Sequence, residues 1–318
     1  MTAYPPRVYT IVLNYVRSDD TIRCVSSLRD SSYRDQFVVV VDNGSGPDAR
    51  RELAEGLGGV PLIQSGENLG FAGGNNLGIL HALAREADYV WILNPDTVVE
   101  SGTLERLVRT MSRFPEAGIV GSRIHPGDDG ATVLFNGGPI DWNRGGKPVL
   151  PGMGKPEAAM PTAKVTPIDY ATGASMLVRR QLFEEIGLLP ERYFLYFEET
   201  DFNTRALRAG WKVLLEPRSR VLHFRRSWAN VPSPYYVYYF VRNRILFGRT
   251  FSAAPTDVMV DDLQDAIASW RTKIARKGPT LTASFERVVD DALADGTEMR
   301  DGPRPEYNAL SWEDLSDV

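Results

Sequence analysis

Blocks of apolar residues alternate with amphipathic stretches along the first third of the chain. Val8 to Tyr15 is a short, β-branched, apolar run, which predicts a buried strand. Ser18 to Asp30 places Ile22, Val25 and Leu28 at helical spacing. Phe37 to Val41 predicts a second buried strand, Ala49 to Leu57 a helix, and Pro61 to Gln64 a short strand. The glycine-rich loop from Asn68 to Gly73 leads into a helix expected from Gly74 to Glu86, and Tyr89 to Leu93 reads as another strand. Strand and helix alternate, so a parallel sheet with helices on both faces is expected. Such sheets bind ligands beyond the carboxyl ends of their strands. Asp42 and Asp96 fall at two of those ends.

Beyond about Ile119 the pattern loosens. Residues 125 to 165 are rich in Gly and Pro and fit either an ordered hairpin excursion or a mobile loop. Regular structure resumes from Tyr170 to Arg179, with helices near Gln181 to Ile186 and Glu199 to Gly210. Two strands are expected next, at Trp211 to Leu215 and Arg220 to Phe224. After Thr256, Leu263, Ile267, Trp270 and Ile274 form one apolar stripe, and Leu281, Phe285, Val288 and Ala292 form another. These helices suit covering the core, pairing with a second copy of the chain, or touching a membrane surface. The residues after Asp301 are expected to lie on the surface or to be disordered.

Composition narrows the class. The 318 residues, 43% hydrophobic and 24% charged, suit one large globular domain with an extension, here divided at residue 251. A net charge of −5 argues against nucleic acid as a partner. The single cysteine, Cys24, excludes an intrachain disulfide and a cysteine-based zinc site, which points to a reducing compartment. No apolar run approaches the roughly 18–20 residues that span a bilayer. The most aromatic run, Tyr235 to Phe251, is broken by Arg242 and Arg244. A cytoplasmic protein is expected, one able to visit the inner face of the membrane.

Several residues carry candidate chemistry. Asp42 ends a strand and precedes Asn43-Gly44-Ser45, where it can accept a hydrogen bond from a nucleobase or a ribose, or merely cap a turn. The loop from Asn68 to Gly73 can offer main-chain N–H groups to a phosphate, or can be a tight turn that lets a helix pack closely. Asp96 can hold a hard divalent cation, with Asn94 adding a neutral oxygen; taken alone, the motif reads more readily as a Pro-Asp turn. Glu198, Glu199 and Asp201 crowd three acids after an aromatic run. A carboxylate beside an apolar pocket is what a general base requires. His223 ends a strand and is followed by Arg225 and Arg226, a pattern suited to metal or phosphate contact.

Taken in order, IVLNY, VVVVDNGS, NLGFAGGNN, LNPDT, TGASMLVRR, FLYFEETDFNTRALRAGW, VLHF and YYFVRNR resemble the family 2 glycosyltransferases of the GT-A fold, especially their bacterial rhamnosyltransferase-like branch. The resemblance runs from about Val8 to Phe251. It implies a Rossmann-like, nucleotide-binding mixed sheet flanked by helices, followed by a C-terminal helical extension. It implies a dTDP- or UDP-sugar donor, transfer with inversion, and a glycan, lipid-linked or small-molecule acceptor. Leu13, Asn14, Tyr15 and Asp42 would line the base pocket. Asn68, Gly70, Asn76, Asn94 and Arg225 would add donor contacts. Asp96 and His223 would hold Mg2+ or Mn2+, and Glu199 would be the base, with Glu198 its rival and Asp201 orienting the acceptor or anchoring the helix. Two residues depart from the family pattern: Asn94 replaces the first acid of D-x-D, and Glu199 stands where Asp is usual. The chain lacks the glycine fingerprint of a dinucleotide-binding oxidoreductase and the basic loop of a nucleotidyltransferase after its first strand. A sugar-nucleotide-binding module that has lost catalysis is the non-enzymatic alternative.

Overall fold

A computed structural model describes residues 5–127, 130–160, 164–224, 232–308, 311–312 and 315. Their strands are β1 (Val8–Asn14), β2 (Gln36–Asp42), β3 (Leu62–Gln64), β4 (Tyr89–Leu93), β5 (Thr97–Val99), β6 (Ala117–Pro126), β7 (Ile140–Asp141), β8 (Lys147–Pro148), β9 (Thr166–Ile168), β10 (Ser175–Arg179) and β11 (Lys212–His223). The helices are α1 (Ser18–Arg29), α2 (Pro47–Gly56), α3 (Gly70–Leu83), α4 (Thr103–Arg113), α5 (Arg180–Ile186), α6 (Glu198–Arg208), α7 (Pro234–Phe251), α8 (Thr256–Ala275) and α9 (Pro279–Thr297). The chain forms two compact units: one comprises residues 1–139, 149–190 and 199–225, the other residues 140–148, 191–198 and 226–318.

The first unit is built on one mixed sheet in the order β3-β2-β1-β4-β10-β6-β11-β5, with β9 also paired to β11. β1, β2, β3 and β4 are parallel, β10 runs antiparallel between β4 and β6, and β11 is parallel to β6 and antiparallel to β5. The purely parallel sheet expected from strand–helix alternation is therefore interrupted by antiparallel strands, as the family resemblance implied. Period-two alternation splits each strand between two cores. Val8, Val12, Val40, Trp91 and Leu93 face one apolar layer, which includes Val25 and Leu28 of α1 and Leu104 and Leu107 of α4. Tyr9, Ile11, Val41, Val90 and Ile92 face the other, which includes Ile79 of α3 and Phe202 of α6.

The glycine-rich segment is mostly helix rather than loop, because α3 starts at Gly70 instead of Gly74. Its glycines serve close packing. A Cβ at Gly74 would lie 2.4 Å from Leu13 Cδ1, and one at Gly78 would lie 2.4 Å from Ile11 Cγ2 and 3.2 Å from Val41 Cγ2. The loosened pattern after Ile119 conceals the end of a ten-residue buried strand, β6. The two strands expected between Trp211 and Phe224 are one strand, β11, with a register irregularity between Glu216 and Arg220.

The second unit is a helical cluster whose core joins Val237, Tyr238, Val241 and Ile245 of α7, Leu263, Ile267 and Ile274 of α8, and Phe285, Val288 and Ala292 of α9. The two stripes read from the sequence pack here, with Trp270 and Leu281 only partly buried. The aromatic run is α7, and the two arginines that interrupt it, Arg242 and Arg244, are buried. Arg242 donates to the carbonyls of Gly302 (2.6 Å) and Tyr193 (2.9 Å), and its guanidinium lies 4.9 Å from the centre of the Tyr239 ring. Among the described tail residues, Tyr307, Trp312 and Leu315 are buried in this core, while Asp301, Pro303, Pro305 and Glu306 are exposed. The Gly/Pro-rich excursion carries a hairpin, β7 against β8. No helix among the described residues is long and apolar enough to cross a membrane.

The substitution Gly78→Ala tests the close approach of α3. Alanine favours a helix by up to about 1 kcal/mol, but Ile11 is fully buried and β-branched, so it has few rotamers with which to yield. A net loss of about 1–3 kcal/mol is expected from overpacking, read as a lower midpoint in urea denaturation.

Candidate active site

Three groups of side chains gather at one edge of the first unit's sheet. At the tips of β1 and β2, Asn14 and Asp42 are paired in register and fully buried. The Asn14 amide donates to Asp42 Oδ1 (3.3 Å) and Ser45 Oγ (2.9 Å), while its own Oδ1 accepts from the Thr21 hydroxyl (2.6 Å). Asn14 is thus committed to holding Asp42 and the turn after it. Asp42 Oδ2 is buried and has no hydrogen-bond partner among the described residues. A buried carboxylate oxygen in that condition is costly unless a ligand donor reaches it. Leu13 is buried beside this pair, and Tyr15 is 37% exposed.

The next loop is organised by its asparagines. Asn43 donates to Asn68 Oδ1 (3.0 Å) and to the Gly70 carbonyl (3.0 Å), and accepts from the Leu69 amide (3.0 Å). Asn68 also accepts from the Gly70 amide (3.0 Å), and Gly70 has the left-handed φ of 73° that favours glycine. Asn68 and Gly70 therefore shape this loop. Asn76 is turned away to Leu189, donating to its carbonyl (3.0 Å) and accepting from its amide (3.1 Å).

β4 ends at Leu93, and the turn Asn94-Pro95-Asp96 carries the chain into β5. The Asn94 carbonyl accepts from the Thr97 hydroxyl (2.7 Å) and from the Cys24 thiol (3.6 Å), which pins the turn from below. Burial pushes the Cys24 thiol up to about 12, so it stays protonated and unreactive. β11 pairs with β5, placing His223 opposite Thr97, and the Phe224 amide donates to the Asp96 carbonyl (2.8 Å). As a result His223 Nε2 stands 2.8 Å from Asp96 Oδ1, across 127 positions of sequence. Asn94 Oδ1 is buried and has no hydrogen-bond partner among the described residues. An imidazole nitrogen, a carboxylate and an amide oxygen are a donor set that suits Mg2+ or Mn2+ when substrate phosphates complete the shell. Among the described residues no group of three or more His, Cys, Asp or Glu side chains converges as a metal cage. Arg225 lies outside the described residues.

The third group is Glu199, in the first turn of α6. Glu199 Oε1 accepts from the Tyr170 hydroxyl (3.0 Å), whereas Oε2 is buried without a partner among the described residues. Burial raises the Glu199 pKa, and the main-chain amides of Glu199, Gly173 and Thr200 and the Tyr170 hydroxyl oppose it only partly. That is the direction of shift that makes a carboxylate a stronger proton acceptor. Glu198 is buried as the first residue of α6. Asp201 binds Arg205 (2.7 Å), which also donates to the Leu188 carbonyl (2.9 Å), so it anchors the helix. The run before α6 is strained: Phe194, Tyr196 and Phe197 have φ of 63°, 68° and 75°. Within the second unit, Asn243 holds that run through the carbonyls of Tyr193 (2.9 Å), Leu195 (2.7 Å) and Tyr196 (2.9 Å). Sequence reasoning did not single out Tyr170, Asn43, Ser45, Thr97 or Asn243. Their only sequence signal is adjacency to motifs that were noticed.

A mixed α/β sheet with acids and amides at its strand tips, and a buried carboxylate on an adjoining helix, is the arrangement of a nucleotide-binding α/β fold, and its architecture is that of the GT-A fold. Residues 9–187 match the family model described as glycosyl transferase family 2, and the chain belongs to that family as a nucleotide-sugar glycosyltransferase. It is 29% identical over 231 residues to an N-acetylglucosaminyl-diphospho-decaprenol L-rhamnosyltransferase of Mycobacterium tuberculosis, covering 68% of this chain and 75% of that protein. It is 24% identical over 258 residues to the dTDP-rhamnosyl transferase RfbF of Shigella flexneri, covering 76% of this chain and 80% of the relative. In fold it is similar to the mannosyltransferase PcManGT from Pyrobaculum calidifontis, solved in complex with GDP-Man and Mn2+. The TM-score is 0.56 at 17% identity, covering 94% of this chain and 88% of that one.

The raised Glu199 pKa has a stability consequence. Between the ordinary glutamate value of 4.5 and the raised native value, the folded state binds more protons than the unfolded state, so stability falls as pH rises through that window. Glu199→Gln removes the buried charge while keeping the shape. It is expected to raise the thermal midpoint at neutral pH and to flatten that pH dependence; a lower midpoint at neutral pH would show that the charged form is stabilised.

Proposed function

We propose that the chain transfers L-rhamnose from dTDP-L-rhamnose to a hydroxyl of a lipid-linked glycan, with inversion at the anomeric carbon. The observation that carries the chemical part is Glu199, with one oxygen held by Tyr170 and the other shielded and available. The names of the two rhamnosyl-transferring relatives support the donor, and the decaprenol in one of them supports the acceptor class.

In this reading the base lies at the tips of β1 and β2, where Asp42 Oδ2 accepts from its N–H and Leu13 and Tyr15 flank it. Glu199 accepts the proton of the acceptor hydroxyl as that oxygen attacks the anomeric carbon. The bond from that carbon to the diphosphate breaks, and its electron pair leaves with the nucleoside diphosphate. Attack opposite the leaving group inverts the centre. Tyr170 holds the carboxylate in position, and Asp201 keeps α6 in place through Arg205. Asp96 and His223, with Asn94 Oδ1, would hold Mg2+ or Mn2+; when bound, the cation neutralises charge on the departing diphosphate. The replacement of an acid by Asn94 removes one negative charge from that site, which favours moderate metal affinity.

Two measurements test this. Thermal stabilisation by dTDP in the presence of Mn2+ is expected for the wild type and is expected to vanish in Asp96→Ala. Metal-dependent stabilisation by UDP instead would move the donor to a UDP-hexose, and none with either nucleotide would remove the donor assignment. With a dTDP-rhamnose turnover assay in hand, Glu199→Gln should lose about 100-fold or more in kcat. Retention of most turnover in that variant, with loss in Glu198→Gln, would transfer the role to Glu198.

A further inference from the structure

The segment Gly74-Asn75-Asn76 places two asparagines side by side on α3, and their amides do different work. Both ends of the Asn76 amide are bonded to Leu189. Asn75 is 1% exposed. Its Nδ2 donates to the Phe71 carbonyl (2.9 Å), while its Oδ1 is buried and has no hydrogen-bond partner among the described residues. The orientation of that amide is not interchangeable. A carbonyl only accepts, so the nitrogen must face Phe71, and the oxygen is left as an acceptor.

The neighbours of Asn75 locate it. Gly74 packs against Leu13 and Asn43, so α3 passes at the level of the strand tips. Phe71, one helical turn before Asn75 and on the same face, has its ring 2.9 Å from where a Cβ on Gly173 would stand, and that same point lies 3.8 Å from Glu199 Cβ. Asn75 therefore lies on the side of α3 that runs from the base pocket toward Glu199. In this unit Asp42 Oδ2, Asn94 Oδ1, Glu199 Oε2 and Asn75 Oδ1 are alike in being buried oxygens without a hydrogen-bond partner among the described residues. The first three belong to the site already described.

We propose that Asn75 Oδ1 accepts a hydrogen bond from a hydroxyl of the donor's sugar ring and is a specificity-determining contact for that sugar. An acceptor oxygen cannot bind the diphosphate, whose oxygens are themselves acceptors, so the partner must carry a hydrogen. In the reading given above the base is served by Asp42, and Gly74 beside Asn75 packs on Leu13 and Asn43 while Phe71 on the Asn75 face reaches toward Glu199, so the sugar hydroxyls are the hydrogen donors this side of α3 would meet. A site built to hydrogen-bond a hydroxyl discriminates strongly against a ligand lacking it, because the buried oxygen is then left unpaired. The inference rests on the nucleotide-sugar reading given above, and it assigns to Asn75 the donor contact that the sequence had assigned to Asn76.

The experiment compares a nucleotide with its sugar conjugate. Affinities of dTDP and dTDP-rhamnose, or of UDP and a UDP-hexose if the wild type selects those, are measured by calorimetry for wild type, Asn75→Ala and Asn75→Leu. The expected result is unchanged affinity for the free nucleoside diphosphate and a loss of roughly tenfold for the nucleotide sugar, with the unfolding midpoint of Asn75→Leu equal to or above that of wild type. Equal loss for nucleotide and conjugate, or no loss for either, would overturn the proposal. So would a lower midpoint in both variants with the sugar increment intact, which would identify Oδ1 as satisfied by internal water. Failure of the wild type to bind any nucleoside diphosphate would be a failure of the donor reading itself, and is seen separately from these outcomes.

Discussion

β11 is hydrogen-bonded along both edges, to β6 on one side and to β5 and β9 on the other. That pairing is the constraint on which the site depends. Running parallel to β6, β11 reaches the same edge of the sheet as β4, and its last residue, His223, stops opposite Thr97. The main-chain bond from Phe224 to Asp96 then locks the turn after β4 against the end of β11. A one-residue slip would turn His223 to the other face and separate it from Asp96. The irregularity between Glu216 and Arg220 sets which residue arrives at that end.

Around that lock, each reactive side chain is held by a neighbour that does no chemistry. Asn14 and Ser45 hold Asp42, Thr97 and Cys24 hold the Asn94 carbonyl, Tyr170 holds Glu199, and Arg205 holds Asp201. In each case one oxygen or carbonyl is tied down, and at Asp42, Asn94 and Glu199 a second oxygen is buried without a hydrogen-bond partner among the described residues. An isolated protein gains nothing from unpaired buried acceptors. Their concentration at one sheet edge is the physical sign that a ligand with several donors belongs there. The strained aromatic residues before α6 are a second expense of the same kind, sustained in the helical unit by Asn243 and Arg242.

The helical unit shows why charged residues mislead when read in one dimension. Arg242 and Arg244 break the apolar run of α7 and exclude a membrane span, yet both are buried, because main-chain carbonyls receive their guanidinium groups. The tail likewise reads as surface-laid or disordered, while Tyr307, Trp312 and Leu315 are buried in the helical core.

The sequence by itself determined the strands and helices of the first 93 residues to within a few positions, because buried strands and amphipathic helices carry their own periodicity. It also marked Asp42, Asp96, Glu199 and His223, since acids and a histidine at strand or helix ends are visible without coordinates. It did not mark α4, the length of β6, or the continuity of β11, where the apolar signal is interrupted by Gly, Ser, Pro and Arg that the sheet nonetheless buries. Only the tertiary structure decided that α3 begins at Gly70, since the cue is the closeness of Leu13 and Ile11 rather than any residue of the helix. Only it decided that Asp96 meets His223, that Tyr170 meets Glu199, and that of two adjacent asparagines one is spent on Leu189. Those outcomes depend on which chain segments, more than a hundred positions apart in two of the three, are brought to the same edge, and local preference carries no record of that.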